Sequence, residues 1–156
     1  MSTDFTNIIV ENILLLDCKV EFLGPKERQN YCLAMTKLHR TQVPDSKTLL
    51  VRAEFDLMHG VKDPSCTLKC TFLAVYSKAE SSTVNWSEFT DGLAVAHMVP
   101  FVREFIANIT NRMPLPPLMM RPVNAYVLVE DFQRREAEKA QSEKPSLVQG
   151  PAEASK

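Results

Sequence analysis

Glycine is scarce in this chain of 156 residues, and its placement excludes several kinds of site. Gly24, Gly60, Gly92 and Gly150 each stand alone, whereas a loop that cradles phosphate needs clustered glycines. A basic excess is also missing, because 18 Lys and Arg stand against 19 Asp and Glu, so no surface for nucleic acid is expected. The length and composition therefore predict one globular domain that binds neither nucleotides nor nucleic acid.

A long apolar run and an export signal are missing as well. Residues 1–7 are polar and lack the basic start of a signal peptide. The apolar stretch 8–16 is interrupted by Glu11 and Asn12 and is too short to span a bilayer. We therefore expect a cytoplasmic protein that has no membrane segment of its own.

The cysteines and histidines form no recognisable reactive motif. The chain has four cysteines and is long enough for a hydrophobic core without disulfides, so we expect reduced thiols. Cys66 and Cys70 are four residues apart in a predicted strand, which places both on one face and does not match the spacing of a zinc knuckle. The three histidines are scattered and no nucleophile motif accompanies them. The sequence predicts no metal, no cofactor and no enzymatic activity.

Four stretches of alternating polarity predict β-strands, at residues 13–23, 31–42, 49–57 and 67–77. In the first of them, polar residues 17, 19 and 21 alternate with apolar ones, which predicts one wet face and one buried face, the latter formed by Leu16, Cys18, Val20 and Phe22. Short turns separate the strands, so we predict a four-stranded antiparallel meander.

Two helices are predicted after the strands. Apolar residues recur at spacings of three and four over residues 91–112, with Asp91 as a plausible cap and Pro100 predicting a kink or a late start near Val99. The second helix is predicted over residues 124–140.

The linker between these helices has four prolines within residues 113–122, a density that excludes helix and central strand. We therefore predict an α+β fold, a four-stranded antiparallel sheet followed by two helices that a proline-rich crossover loop joins. Residues 1–140 would form this domain, and residues 141–156 a disordered tail of mixed charge.

Two apolar surfaces are candidates for binding. The crossover loop either lies across the core and buries most of its side chains, or it forms an adaptable apolar surface on which flexible methionines accept many partners. The first helix has an apolar stripe wider than a four-stranded sheet must cover, so it is buried on both sides or forms an oligomer interface. We favour the interface, with candidate residues Phe101, Val102, Phe105, Ile106 and Ile109.

Residues 100–124 resemble the C-terminal half of the SecB export chaperones. The sequence PFVREFI at 100–106 is similar to the family's P-[YF]-x-R-E-x-I helix, and Pro122-Val123-Asn124 is similar to the P-V-N-F that ends its crossover loop. The spacing from Pro100 to Arg112 and onward to Pro122 fits without a gap. Four predicted strands before this segment and a polar tail after it agree with the family's layout.

The resemblance implies an assembly and an activity. SecB protomers form a homotetramer, a dimer of dimers whose first helices lie between the sheets, and they hold unfolded polypeptides for export without ATP. Their clients bind in apolar grooves between the sheet, the crossover loop and the second helix. The corresponding candidate peptide-binding residues here are Leu115, Leu118, Met119, Met120, Val123 and Tyr126.

The chain departs from the family where the usual members dock the translocase motor SecA. Their first-strand motif is K-D-x-S-F-E-x-P, and an alignment on Phe22 and Pro25 replaces the two acids by Lys19 and Leu23. Ala125 stands where P-V-N-F has its phenylalanine. Holding of non-native clients is therefore better supported than delivery to SecA. A SecB-like module dedicated to one client, such as an antitoxin, fits the same residues.

Overall fold

The sheet and both helices are present in a computed structural model, which describes residues 7–24, 31–44, 47–59, 63–114 and 116–142. In chain order the elements are β1 Ile8–Phe22, β2 Tyr31–Gln42, β3 Thr48–His59, β4 Cys66–Lys78, α1 Asp91–Thr110 and α2 Ala125–Ser142. The predicted α+β class, a four-stranded antiparallel sheet followed by two helices, is confirmed.

The strand order is β1-β4-β3-β2, so the predicted simple meander is wrong in its first connection. Strands β2, β3 and β4 follow one another as antiparallel neighbours, but β1 pairs with β4, with Cys18 opposite Cys70 and Phe22 opposite Cys66. This order is of the Greek-key kind. It makes β4 an inner strand, in agreement with its apolar sequence, and leaves β1 at the edge.

The predicted buried face of β1 is not buried. Leu16 and Phe22 are exposed, as is Cys18, and only Val20 packs partly against the core. Two register shifts interrupt the alternation of side chains along β1. Because of the second shift, Leu15 lies on the same face of the sheet as Cys18. Since β1 lies at the edge, the helices that cover the sheet leave most of its apolar side chains uncovered.

The core lies between one sheet face and the helices. Alternate residues of β3 from Leu49 to Leu57 are buried, and so are their neighbours on β4. The matching apolar residues of α1, Val95, Met98, Val102 and Ile106, are also buried. Burial of each such side chain contributes about 1.5–3 kcal/mol to stability. This packing places α1 over β4, and Phe72 and Phe105 meet edge to face with ring centroids 6.0 Å apart.

The helix α1 begins at Asp91 as predicted, but its capping residue differs from the prediction. Thr90 is the N-cap and its hydroxyl accepts from the Leu93 N–H, while Asp91 forms an ion pair with Arg40 at 3.0 Å. The helix also runs without a late start through Pro100. A proline has no N–H, so the Ala96 carbonyl loses its helical donor there, and tertiary packing of the buried face holds the helix together.

By length and composition alone, α1 is the one described helix that could match a membrane span. Core helices share that composition, and α1 buries apolar residues such as Val95, Met98 and Val102 against the core. The second helix continues to Ser142, two positions into the predicted tail, and residues 143–156 lie outside the described residues. The predicted division into a domain and a tail stays a prediction.

Candidate functional site

The crossover loop is tied to α1 through the backbone of two of its residues. Thr110, at the end of α1 and buried, accepts a hydrogen bond from the Leu118 N–H at 3.0 Å and donates one to the Ile106 carbonyl at 2.7 Å. Arg103 donates through Nη2 to the Met120 carbonyl at 2.9 Å. These bonds use the loop's main chain, so they hold the loop against α1 without engaging its side chains in hydrogen bonds.

A third contact ties the loop to the sheet, and a cap ends it. The Tyr31 hydroxyl on β2 accepts from the Arg121 N–H at 2.8 Å. Asn124 then caps α2, because its Oδ1 accepts from the Tyr126 N–H at 3.0 Å and its carbonyl accepts from the Leu128 N–H at 3.2 Å. The loop therefore has defined anchor points on α1, on β2 and at the start of α2.

A Thr110→Val variant tests the first anchor. Valine keeps the shape but leaves the Leu118 N–H without its acceptor, so we expect the free energy of unfolding to fall by about 1–3 kcal/mol. Urea unfolding followed by circular dichroism measures this change. Thr110→Ser is the matched control, since it keeps the hydroxyl and should lose less. A Thr110→Val variant that loses no more stability than Thr110→Ser would contradict the hydrogen-bonded anchor.

Between α1 and the loop lies an open apolar groove, which we call the loop groove. Its floor is a row of α1 residues at helical spacing, some of them small, with Glu104 at one side. Its two adjacent cavities, of about 310 and 320 Å³, share Pro100 and Arg103. The first cavity is walled by residues 122–126, the second by Met119 and Met120. The floor residues that the sequence did not predict are Ala96, Val99 and Ala107; their spacing of three, eight and eleven residues, which places them on one side of α1, was the available signal.

The candidate peptide-binding residues divide into three groups. Met119 and Tyr126 are open to solvent, with 76% and 48% of their surfaces exposed. Leu118 and Val123 are half-buried and pack against the core, whereas Met120 is buried. Leu115 lies outside the described residues. The two alternatives for the crossover loop, burial on the core and an exposed apolar surface, therefore both occur. Some of its side chains cover part of the core, and others are exposed to solvent.

The candidate interface residues of α1 divide in the same way. Val102 and Ile106 are completely buried within the protomer, so they face the sheet. Phe105 and Ile109 are half-buried against the core, and Phe101 is 46% exposed. Of the five, Phe101 presents the largest apolar surface to solvent.

A further cavity of about 260 Å³ lies between the outer edge of β2 and α2. Leu33 and Leu128 supply apolar walls, and Arg134 pairs with Asp131 at 2.8 Å. Arg135 donates through Nη2 to the Met35 carbonyl at 2.7 Å, so α2 partly covers the β2 edge.

The sheet face away from the helices is of mixed charge. Lys37 pairs with Glu54 at 3.0 Å and Lys69 with Asp56 at 3.2 Å. Lys19 lies directly opposite Lys69, so the strand end that carries acids in the usual SecB pattern here adds a positive charge. These lysines are well exposed, and such pairs contribute little to stability.

Cys66 and Cys70 lie on one face of β4, as predicted, and both are buried. Burial is the main cause that raises the pKa of Cys70 to about 12, and the nearby Cys18 and Asp56 raise it further. Burial also raises the pKa of Cys66. Both are therefore protonated and unreactive near neutral pH. Cys18 and Cys32 are exposed. Within the described ranges, no group of three or more His, Cys, Asp or Glu side chains is placed to hold a metal ion.

Comparison with solved structures gives an informative likeness. No protein-family model and no curated protein matches the sequence. The solved structure of the Mycobacterium tuberculosis SecB-like chaperone Rv1957, in complex with a ChAD peptide from the Rv1956 HigA1 antitoxin, superposes with a TM-score of 0.64 at 21% identity. The match covers 75% of this chain and 90% of that one. A Streptococcus agalactiae protein of unknown function gives a TM-score of 0.44 at 12% identity over 74% and 97% of the two chains.

The likeness to Rv1957 confirms the SecB-like fold that the resemblance of residues 100–124 implied. The chain has the fold of a SecB-like chaperone.

Proposed function

We propose that this protein is a divergent SecB-like chaperone that holds non-native polypeptide segments in the loop groove without ATP. The observation that carries the proposal is the loop groove itself, an open apolar channel with Met119 and Tyr126 exposed beside it, in a chain with the SecB-like fold. The activity needs no cofactor and no bond-making step, so the protein is not an enzyme under this proposal.

The groove is suited to extended apolar segments of varied sequence. Pro100 and the small floor residues leave room for large client side chains, and Met119 can adapt to their shapes because its side chain is flexible. Each client Leu or Phe that becomes buried contributes about 1.5–3 kcal/mol before the cost of ordering the chain. Several shallow contacts therefore give useful affinity without a single deep pocket.

A homotetramer, a dimer of dimers, belongs to the same proposal. Exposed Phe101 on α1 supports it, and so does β1, whose outer edge has no strand partner among the described residues. The strand also exposes apolar side chains on both faces, namely Ile9, Val10, Leu14, Leu15, Leu16 and Phe22. An exposed apolar edge strand promotes association, and a second copy of the chain would cover it.

A second candidate is a binding module dedicated to one client. The likeness to a SecB-like chaperone in complex with an antitoxin peptide favours it, and so does the mixed charge of the sheet face around Lys19, where usual family members dock SecA. Under this candidate the protein is still a cytoplasmic holdase with the same groove, but it has no general role in export and does not bind SecA.

A light-scattering assay tests the proposal. The purified protein, without ATP, should suppress aggregation of chemically denatured client proteins at a stoichiometric ratio, and native clients should show no binding. No protection for any of several clients would refute the general chaperone. Affinity capture from the native host then separates the candidates, since one dominant partner supports the dedicated module and a mixture of precursors supports export.

A further inference from the structure

Gly92 and Tyr126 approach each other where the two helices begin. Gly92 is the second residue of α1 and is buried, and Tyr126 is the second residue of α2. A Cβ added at Gly92 would lie 2.5 Å from Cε1 and 3.2 Å from Cγ of the Tyr126 ring. Real Cβ atoms essentially never come within 3.0 Å of another heavy atom, so the ring occupies the space that any other residue's side chain would need.

Backbone conformation does not explain this glycine. Gly92 lies within α1, whereas among the described glycines the left-handed backbone belongs to Gly24, at φ 113°. In a helix, glycine is less favourable than alanine by about 1 kcal/mol. We therefore attribute the glycine at this position to the close approach of the Tyr126 ring, which leaves no room for a side chain.

The position of that ring matters because Tyr126 is also a wall of the loop groove. It lines the cavity of about 310 Å³ together with Ala96 and Val99, which follow Gly92 along the same side of α1. The Asn124 cap holds the Tyr126 N–H, so the start of α2, from which the ring projects, is fixed as well. The ring therefore stands at the α1 N-terminal end of the groove.

We propose that Gly92 is a positioning residue for client selection. Because Gly92 has no side chain, the Tyr126 ring can pack across α1. There the ring closes one end of the loop groove and limits the size of the client side chains that the groove accepts. This inference rests on the proposed chaperone function. Gly92 itself touches no client; it acts through Tyr126.

A double-mutant cycle in thermal unfolding tests the contact without any client. Gly92→Ala should lower the melting temperature of the wild-type chain, because the methyl group displaces the ring. In a Tyr126→Ala background the same change should raise it, because alanine favours the helix. Asn108→Ala, at an exposed α1 position, is the control and should act alike in both backgrounds. A Gly92→Ala effect of the same sign and size in both backgrounds would overturn the proposal.

Peptide selectivity tests the role in binding. Two fluorescent Ser/Lys-rich peptides, identical except that one carries leucines where the other carries tryptophans, are titrated against each variant by fluorescence anisotropy. Gly92→Ala should shift the affinity ratio toward the tryptophan peptide by about fivefold, and should leave the ratio unchanged in the Tyr126→Ala background. An unchanged ratio in the wild-type background would overturn the selective role.

The two assays separate the failure of this inference from failure of the proposed function. If the wild-type chain binds neither peptide, the holdase function and the selectivity are both refuted, while the melting cycle still decides whether Gly92 seats Tyr126. If the wild type binds both peptides and the cycle shows no coupling, the holdase function stands and the role of Gly92 is refuted.

Discussion

A Phe101→Asp variant is expected to fold like the wild type but to run as a smaller species, whereas Ile106→Asp is expected to unfold the protomer. Both residues lie on α1, but Phe101 is 46% exposed and Ile106 is completely buried. A carboxylate at the exposed position should change protomer stability by less than about 1 kcal/mol, and one at the buried position should cost more than about 4 kcal/mol. A loss of that size approaches the whole stability of a small domain.

Light scattering coupled to size exclusion measures the mass, and circular dichroism measures the fold. Wild type should run near four chains of 17.6 kDa, and Phe101→Asp at half or a quarter of that mass with an unchanged spectrum. Phe101→Leu is the matched control and should remain assembled. A monomeric wild type, or a Phe101→Asp variant with the wild-type mass, would contradict the proposed interface.

The second large effect is expected in the loop groove and on the neighbouring start of α2. A Met119→Asp, Tyr126→Asp double variant places two carboxylates on exposed positions beside the loop groove, so the fold should persist. Loss of two apolar contacts at about 1.5 kcal/mol or more each should weaken client binding by about a hundredfold, which abolishes protection at a stoichiometric ratio.

The control for this variant is Met58→Asp. Met58 is also an exposed apolar residue, but it lies on β3, directly opposite Cys32 and away from the crossover loop. Protection should therefore survive in Met58→Asp. Equal loss in both variants would show that clients bind to exposed apolar surface in general and not beside the loop groove.

Local pattern was enough to locate the elements of this fold. The second strand begins and ends where the sequence predicted, and α1 begins at the predicted Asp91. Such patterns are local, because a strand alternates with period two and a helix with a period near 3.6 whatever packs against it. The same is true of the loop, since no regular element survives four prolines within ten residues.

The local alternation of polar and apolar residues could not predict which strands are neighbours in the sheet. The first strand alternates in polarity as though one face were buried. Its partner, however, is β4, which is distant in sequence, and β1 lies at the sheet edge with Leu15 and Phe22 exposed. Pairing between distant strands depends on how all four pack together, and two register shifts within β1 moved side chains from one face to the other.

By itself, then, the sequence determined the number of strands and helices, their order along the chain, the proline-rich loop and the resemblance to SecB chaperones. The tertiary structure decided how each apolar residue is used. Met119 and Met120 are adjacent, but one is exposed and the other buried, because Arg103 and Thr110 hold the loop's main chain and turn alternate side chains inward. Whether a residue is buried depends on what packs around it and not on its type alone. Two adjacent methionines can therefore lie one in the core and one on the candidate binding surface.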